Sequence, residues 1–252
     1  MVVAGQELRD LWLGGRALLL TLAFSLLLSV VSYLVATNQA LNYLEQRESV
    51  SLTLKVAVAV GALLSLLAAA DTISGERERG TLESLLVTPV SRQRLVAGKL
   101  AAVLSLWIGA FAITTPYVWY LGRGIGVVGE SLAAGFVVGT LVAVFLASLG
   151  VLVSTFSGSN RISLSVSLLL LLALFAPTQF PTGAQQGWAA NLLLRVNPIT
   201  AGEHYIGKIV VDDHSWSHDT WWLVSPALGA AVFGVAAIAA ARSISLRGGS
   251  TS

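Results

Sequence analysis

Two stretches of the 252-residue chain hold residue types that do chemistry at a useful spacing. The first runs Asp212, Asp213, His214, Ser215, Trp216, Ser217, His218, Asp219. His214 and His218 stand at i and i+4, so on a helix both rings share one face, with carboxylates beside them. Imidazole pairs backed by a carboxylate suit zinc or copper. The first reading is a polar loop above the Trp221–Trp222 pair; the alternative is a metal site at His214 and His218. The second stretch is residues 71–99, which hold nine of the chain's twenty-eight charges. Gly75 and Gly80 have the spacing of a phosphate-binding loop. Thr81 and Leu82 follow where such a loop requires Lys and then Ser or Thr. Without that lysine no cation meets the terminal phosphates, and no other stretch replaces it. No catalytic residue is expected.

What residues 71–99 do have is a pattern for docking. Leu82, Leu85 and Leu86 fall at i, i+3 and i+4 and make an apolar stripe. Glu76, Arg77, Glu78 and Arg79 precede it as a dense charged turn. Pro89 ends that helix, because the residue before proline avoids the α region. Ser91 is a good N-cap for the next helix, which carries Arg92, Arg94 and Lys99. An exposed apolar stripe beside charges fits a groove on another protein. A solvated loop held by its positive charge fits the same residues.

The elements that must position these stretches follow from composition. Hydrophobic residues make up 55% of the chain and charged residues 11%, against about 25% charged in soluble domains. The mean hydropathy is +0.79. This predicts an integral membrane protein and excludes a disordered chain, a nucleic-acid-binding domain and a disulfide scaffold. The net charge is only +2, and no cysteine is present. Thiolate metal sites and cysteine nucleophiles are therefore ruled out. A bilayer core takes about 20 apolar residues of helix. Six runs qualify: 17–36, 52–70, 100–120, 131–156, 162–180 and 221–241. They are too long for strands and lack period-two alternation, so a barrel is excluded. The fold class expected is all-α, with one domain over residues 1–252 and polar outer stretches at 37–51 and 181–220. The first run exceeds the 7–15 residues typical of a signal peptide and is read as retained.

Basic residues set the orientation. With the N-terminus inside, Arg9, Arg16, Arg77, Arg79, Arg92, Arg94, Lys99, Arg161, Arg242 and Arg247 lie inside. Arg47, Lys55, Arg123, Arg195 and Lys208 lie outside. Both termini are thus expected in the cytoplasm. Residues 4–14 predict an interfacial helix, with Leu8, Leu11 and Trp12 opposite Gln6, Glu7, Arg9 and Asp10; an extension of the first span is the alternative.

Charge is absent from the span centres, with Lys55 and Asp71 at the two ends of the second. This argues against an ion-coupled carrier, and the lack of an internal repeat agrees. It also argues against an intramembrane protease, whose nucleophile needs a neighbouring base. Ser25, Ser29 and Ser32 share one face and, with Thr114 and Thr115, are the candidate lining of a substrate path; a helix contact is the alternative. Hydroxyls among alkyl groups suit an apolar or amphipathic substrate. Pro116 removes a hydrogen bond that Thr114 and Thr115 can offset, and Pro226 is a second candidate kink. Gly135 and Gly139, four apart, permit close helix approach.

Gly75-Glu76-Arg77-Glu78-Arg79-Gly80-Thr81-Leu82-Glu83, then Leu86, Thr88-Pro89-Val90-Ser91-Arg92 and Gly98-Lys99, closely resembles a segment of the permeases of type 2 ATP-binding-cassette exporters. The six-span layout, the interfacial helix and Asn197-Pro198-Ile199-Thr200 are also similar. Gln6-Glu7-Leu8-Arg9-Asp10 is similar to the branch containing the permease of the nitrous-oxide-reductase maturation system. The resemblance implies that residues 71–99 form a coupling helix seated in a cleft of an ATPase subunit. Glu76, Glu78, Arg79, Gly80, Thr81, Glu83, Ser91 and Arg92 would then supply contacts, Leu82, Leu85 and Leu86 apolar burial, and Pro89 the break. It implies short re-entrant outer helices around Asn197 and Pro198. It implies two copies of the ATPase, which carry the ATP and Mg, and a second permease copy or paralogue. Membrane lipids are the other partner, and nucleic acid is not one. The function implied is ATP-driven export across the cell membrane, with no cofactor on this chain. The alternative is an ATPase-docked membrane scaffold for signalling or for maturation of an extracytoplasmic protein, including metal-linked cargo.

Overall fold

Leu, Ala and Val runs make helices here because backbone in lipid must satisfy its N–H and C=O groups internally. The computed structural model describes residues 2–37, 43–83, 90–179 and 187–244, and among them no residue is in a strand. The helices are α1 (Val2–Leu13), α2 (Arg16–Ala36), α3 (Tyr43–Asp71), α4 (Ser74–Glu78) and α5 (Arg92–Gly122). They continue with α6 (Val128–Phe156), α7 (Asn160–Phe175), α8 (Trp188–Val196), α9 (Pro198–Val210) and α10 (Val224–Ala240).

Six helices are long and apolar enough to cross a membrane: Arg16–Ala36, Leu44–Glu78, Arg92–Gly122, Val128–Phe156, Asn160–Thr178 and Thr220–Ser243. They match the six expected runs, except that Phe180 lies outside the described residues. One boundary is corrected. Residues 43–51, expected in a polar loop, form the first turns of α3. They contain no Gly or Pro, and Leu, Glu, Gln and Arg are good helix formers. Lys55 therefore lies within a long continuous helix.

The six spans divide into two sets. The apolar stretches of α3 and α6 are each 56% buried and that of α5 is 44% buried. Those of α2, α7 and α10 are 22%, 17% and 17% buried. Thus α3, α5 and α6 make the core, and the other three present leucines and valines outward, such as Leu19, Leu22, Leu169 and Val235. Leu54, Val58, Ala62 and Leu66 of α3 meet Trp107 of α5 and Val138, Val142 and Phe145 of α6.

Gly139 permits that meeting, as its four-residue spacing from Gly135 suggests. A Cβ on Gly139 would stand 2.1 Å from Cη2 of Trp107. The indole N–H of Trp107 donates to Thr140 Oγ1 at 3.1 Å, which fixes the ring. Alanine in a helix is normally favoured over glycine by about 1 kcal/mol. Here the overpacking of a closed core reverses the sign and costs about 1–3 kcal/mol. Gly139→Ala is expected to lower the melting temperature of the detergent-solubilised chain; a rise would show that Trp107 yields freely.

Between α1 and α2 the chain breaks at Gly14 and Gly15, the latter at φ 78°. Hence α1 is a separate helix and not an extension of the first span. It packs on α5, with Trp12 Nε1 donating to Ser105 Oγ at 2.9 Å. Helix α5 runs on through Pro116, where Thr114 and Thr115 bond back to Ala110 O (2.8 Å) and Phe111 O (3.1 Å). Pro226 falls in the first turn of α10, where a missing N–H costs little.

Candidate functional site

At the end where α3 finishes, polar side chains tie five parts of the chain together. The turn into α4 leaves the N–H groups of Ile73 and Ser74 in need of acceptors. Ser154 Oγ of α6 accepts both, at 3.1 and 2.9 Å. Asp71 is the next tie. Its Oδ2 lies 2.9 Å from Arg16 Nη1 and 3.6 Å from Arg79 Nη2. Its Oδ1 accepts from Asn160 Nδ2 at 2.7 Å. Asn160 opens α7, and its N–H donates to Glu78 Oε2 at 3.0 Å. A carboxylate there also complements the N-terminal end of the helix dipole. Arg77 donates to the carbonyls of Ser157 and, at 3.3 Å, of Thr155, at the end of α6. The α6–α7 turn is thereby stapled to α4.

Lys99 joins two further helices. Its side chain is 2% exposed, and its ammonium lies 2.7 Å from Glu7 Oε1 and 2.5 Å from Glu76 Oε1. One buried cation thus connects α1, α4 and α5. Ser91 caps α5 as expected, accepting from the Arg94 N–H. Arg92 reaches the carbonyl of Ile244 at 2.6 Å, beyond α10.

The outward side of this segment differs from the inward side. Glu78, Arg79, Gly80, Thr81, Glu83, Ser91 and Arg92 are exposed, and Glu76 is half-buried. Gly80 sits at φ 72°, in the left-handed region. The Thr81 N–H donates to Glu76 O at 3.0 Å and the Gly80 N–H to Arg77 O at 3.3 Å. This is a Schellman cap, which explains a glycine at this point. Leu82 is a correction. Only 2% of it is exposed, and it lies in a cluster with Ile73, Val96, Val103, Val151 and Ile244. It is buried in the chain's own core and not on an exposed stripe. Leu85, Leu86 and Pro89 lie outside the described residues.

Of the expected path residues, Ser25 and Ser29 meet Tyr117 of α5 across the α2–α5 seam, whereas the Thr114 and Thr115 hydroxyls bond to carbonyls of their own helix. Ser29 Oγ lies 2.6 Å from Tyr117 Oη and donates to Ser25 O at 2.8 Å. Ser32 is buried, and its hydroxyl has no hydrogen-bond partner. Thr114 is fully buried.

At the opposite end, Asn197 joins α8 and α9. Its Oδ1 accepts from the Ile199 N–H at 2.9 Å, its Nδ2 donates to Leu174 O at 2.6 Å, and Pro198 takes the first helical position. His214 and His218 are not on a helix face; both lie in the loop after α9. The irregular backbone follows from Asp213, which adopts φ 60°.

That end also holds a feature the sequence did not disclose. Lys55 and Glu48 of α3 face Glu203, His204 and Lys208 of α9 across an open pocket of about 1100 Å³. Burial pushes the Glu203 carboxyl up from its ordinary value, and Lys55 pulls it partly back. Burial pushes the His204 imidazole down, helped by Lys55 and Lys208. His204 stacks on Trp222 at 4.8 Å between ring centres. The pocket offers both signs of charge. Its signal in the sequence was faint, because its two walls are about 150 positions apart.

No curated protein matches the chain by sequence similarity. The family model described as ABC-2 family transporter protein matches residues 1–241. That range takes in five candidate spans and all but the last two residues of the sixth, with the tied segment around α4 and both short helices at the opposite end. The chain therefore belongs to the ABC-2 transporter family, whose members are multi-pass membrane permease subunits working with an ABC ATPase.

Proposed function

We propose that this permease exports its substrate by a mechanical coupling seated at residues 71–99. The observation that carries the reading is the two-sidedness of the segment. Outward it presents Gly80, Thr81 and Glu83, with the exposed Glu78 and Arg79 also reaching back to Asn160 and Asp71; inward it is bonded to α1, α2 and the α6–α7 turn. A load applied to the outer side moves those helices together, because packed helices shift as rigid bodies. ATP and Mg sit on the partner ATPase, present in two copies, and ATP binding there displaces the segment. A second permease copy or paralogue packs on the peripheral spans. The α4 end and both termini are cytoplasmic, in line with the excess of basic residues. The substrate path is lined by Ser25, Ser29, Ser32, Thr114 and Thr115, of which Ser25 and Ser29 lie at the α2–α5 seam. Helices α8 and α9, hinged at Asn197 and Pro198, are the re-entrant pair on the outer side.

The test is recovery of the ATPase with the tagged permease. Glu83→Lys reverses an exposed charge, and Thr81→Trp adds bulk beside it. Each is expected to leave insertion and melting temperature unchanged. Each should lower ATPase recovery roughly tenfold, the effect of about 1.4 kcal/mol at an interface. Full recovery with both variants overturns the docking assignment.

A further inference from the structure

We propose that His214, His218 and Asp219 form a binding site for a late first-row divalent ion of the zinc class, at the end of the molecule opposite α4. One ligand atom from each of the three residues lies within 4.8 Å of the others. Asp219 Oδ2 stands between the imidazoles, 2.6 Å from Nδ1 of His214 and 3.5 Å from Nδ1 of His218. The rings are 5.2 Å apart between centres and inclined at 78°, so each turns a nitrogen to the carboxylate instead of stacking on its neighbour. Zinc bonds these donors at about 2.0–2.2 Å in a tetrahedron, which places donor atoms roughly 3.3 Å apart. The His218 pair already has that separation. The His214 pair must open by less than about 1 Å, and the two imidazole donors, within 4.8 Å of each other, must close by up to about 1.5 Å, changes within reach of small rotamer adjustments.

The loop that carries the donors is held before any ion arrives. The His214 N–H donates to Lys208 O, the His218 N–H to Ser215 O and the Trp222 N–H to Asp219 O, each at 3.0 Å. Asp213 reverses the chain at φ 60°, and its carboxylate pairs at 3.0 Å with Arg47, whose side chain is 7% exposed. Tyr205 Oη holds Trp216 O at 3.2 Å. Such anchoring lowers the ordering cost of ligation. His214 is partly exposed and His218 largely so, which leaves a fourth position for water or for a ligand from another molecule. Nitrogen donors select against magnesium and calcium, and the absence of thiolate selects against copper(I). This inference does not rest on the export reading, since the loop shares no residue with the segment around α4.

The experiment uses the full chain in detergent with any oligohistidine tag removed, stripped with chelator and then exposed to Zn²⁺ alone. Elemental analysis after desalting is expected to give one zinc per chain. His214→Ala, His218→Ala and Asp219→Asn should each lose it, while His204→Gln, the third histidine, retains it. Saturating Zn²⁺ should raise the melting temperature of the parent chain by about 5 °C or more. It should not raise that of the three variants, whose melting without metal shows that they are folded. Zinc content at background in the parent chain, or retained when His214 and His218 are both alanine, overturns the site.

Discussion

Replacing Lys99 with methionine is expected to lower the melting temperature of the solubilised permease by roughly 10 °C. Methionine keeps the length and the apolar stem, so packing is largely preserved and the charge is the variable. The ammonium of Lys99 is shared by Glu7 and Glu76, and all three side chains are largely withdrawn from solvent, at 2%, 24% and 14% exposure. Taking away the cation leaves two carboxylates facing each other. Breaking a buried pair costs about 3–5 kcal/mol. In a chain of this size each kcal/mol moves the melting point by about 2–4 °C. One carboxylate can escape by binding a proton, which holds the effect to the lower half of that range. The double variant Lys99→Met with Glu76→Gln should recover most of the loss, because the repulsion is gone. Arg16→Gln is the internal control. Its bridge to Asp71 is open to water on the arginine side, at 63% exposure, so it should cost no more than about 1 kcal/mol. Equal melting of Lys99→Met and the parent chain would show that the triad holds nothing together.

That triad also marks where the sequence is readable. The six spans were legible because lipid imposes one demand, a run of about 20 apolar residues, and the chain meets it six times. Ser91 as a cap and Gly135 with Gly139 as a close-approach pair were legible because each rests on local spacing. What local spacing cannot say is which surface covers a residue. Residues 43–51 read as a polar loop, yet Arg47 is held by Asp213, 166 positions away. Lys55 read as a flank, yet α9 supplies its opposite wall. The histidine pair was found by an i, i+4 rule that assumes a helix. The donors converge instead through a loop turned by Asp213. The charged run at 76–79 was legible as a cluster, but its division into Arg77 bound to the α6 end and Arg79 beside Asp71 was not, since that depends on Thr155, Ser157 and Asp71.

The same limit makes Leu82 the sharpest place to separate docking from folding. Spacing puts Leu82 on one stripe with Leu85 and Leu86, and a stripe seated in a partner would tolerate Leu82→Asp in the isolated chain. The packing predicts the opposite. Leu82 is closed in by Ile73, Val96, Val103, Val151 and Ile244, and within this cluster a carboxylate finds no partner. The loss of a buried leucine side chain costs about 2–5 kcal/mol, and desolvating an unpaired polar group adds several more. Leu82→Asp is therefore expected to cut the yield of monodisperse permease severely, in cells that contain the ATPase and in cells that lack it. Leu82→Ala, the milder change, should fold and melt roughly 5–15 °C lower. Its folded fraction should still recover the ATPase at the parental level. Glu83→Lys gives the mirror image: parental melting and poor recovery. Neighbouring positions with opposite phenotypes would mean that Leu82 belongs to the chain's own core and Glu83 to the surface its partner covers. Parental melting of Leu82→Ala with lost ATPase would instead move Leu82 to the partner's side.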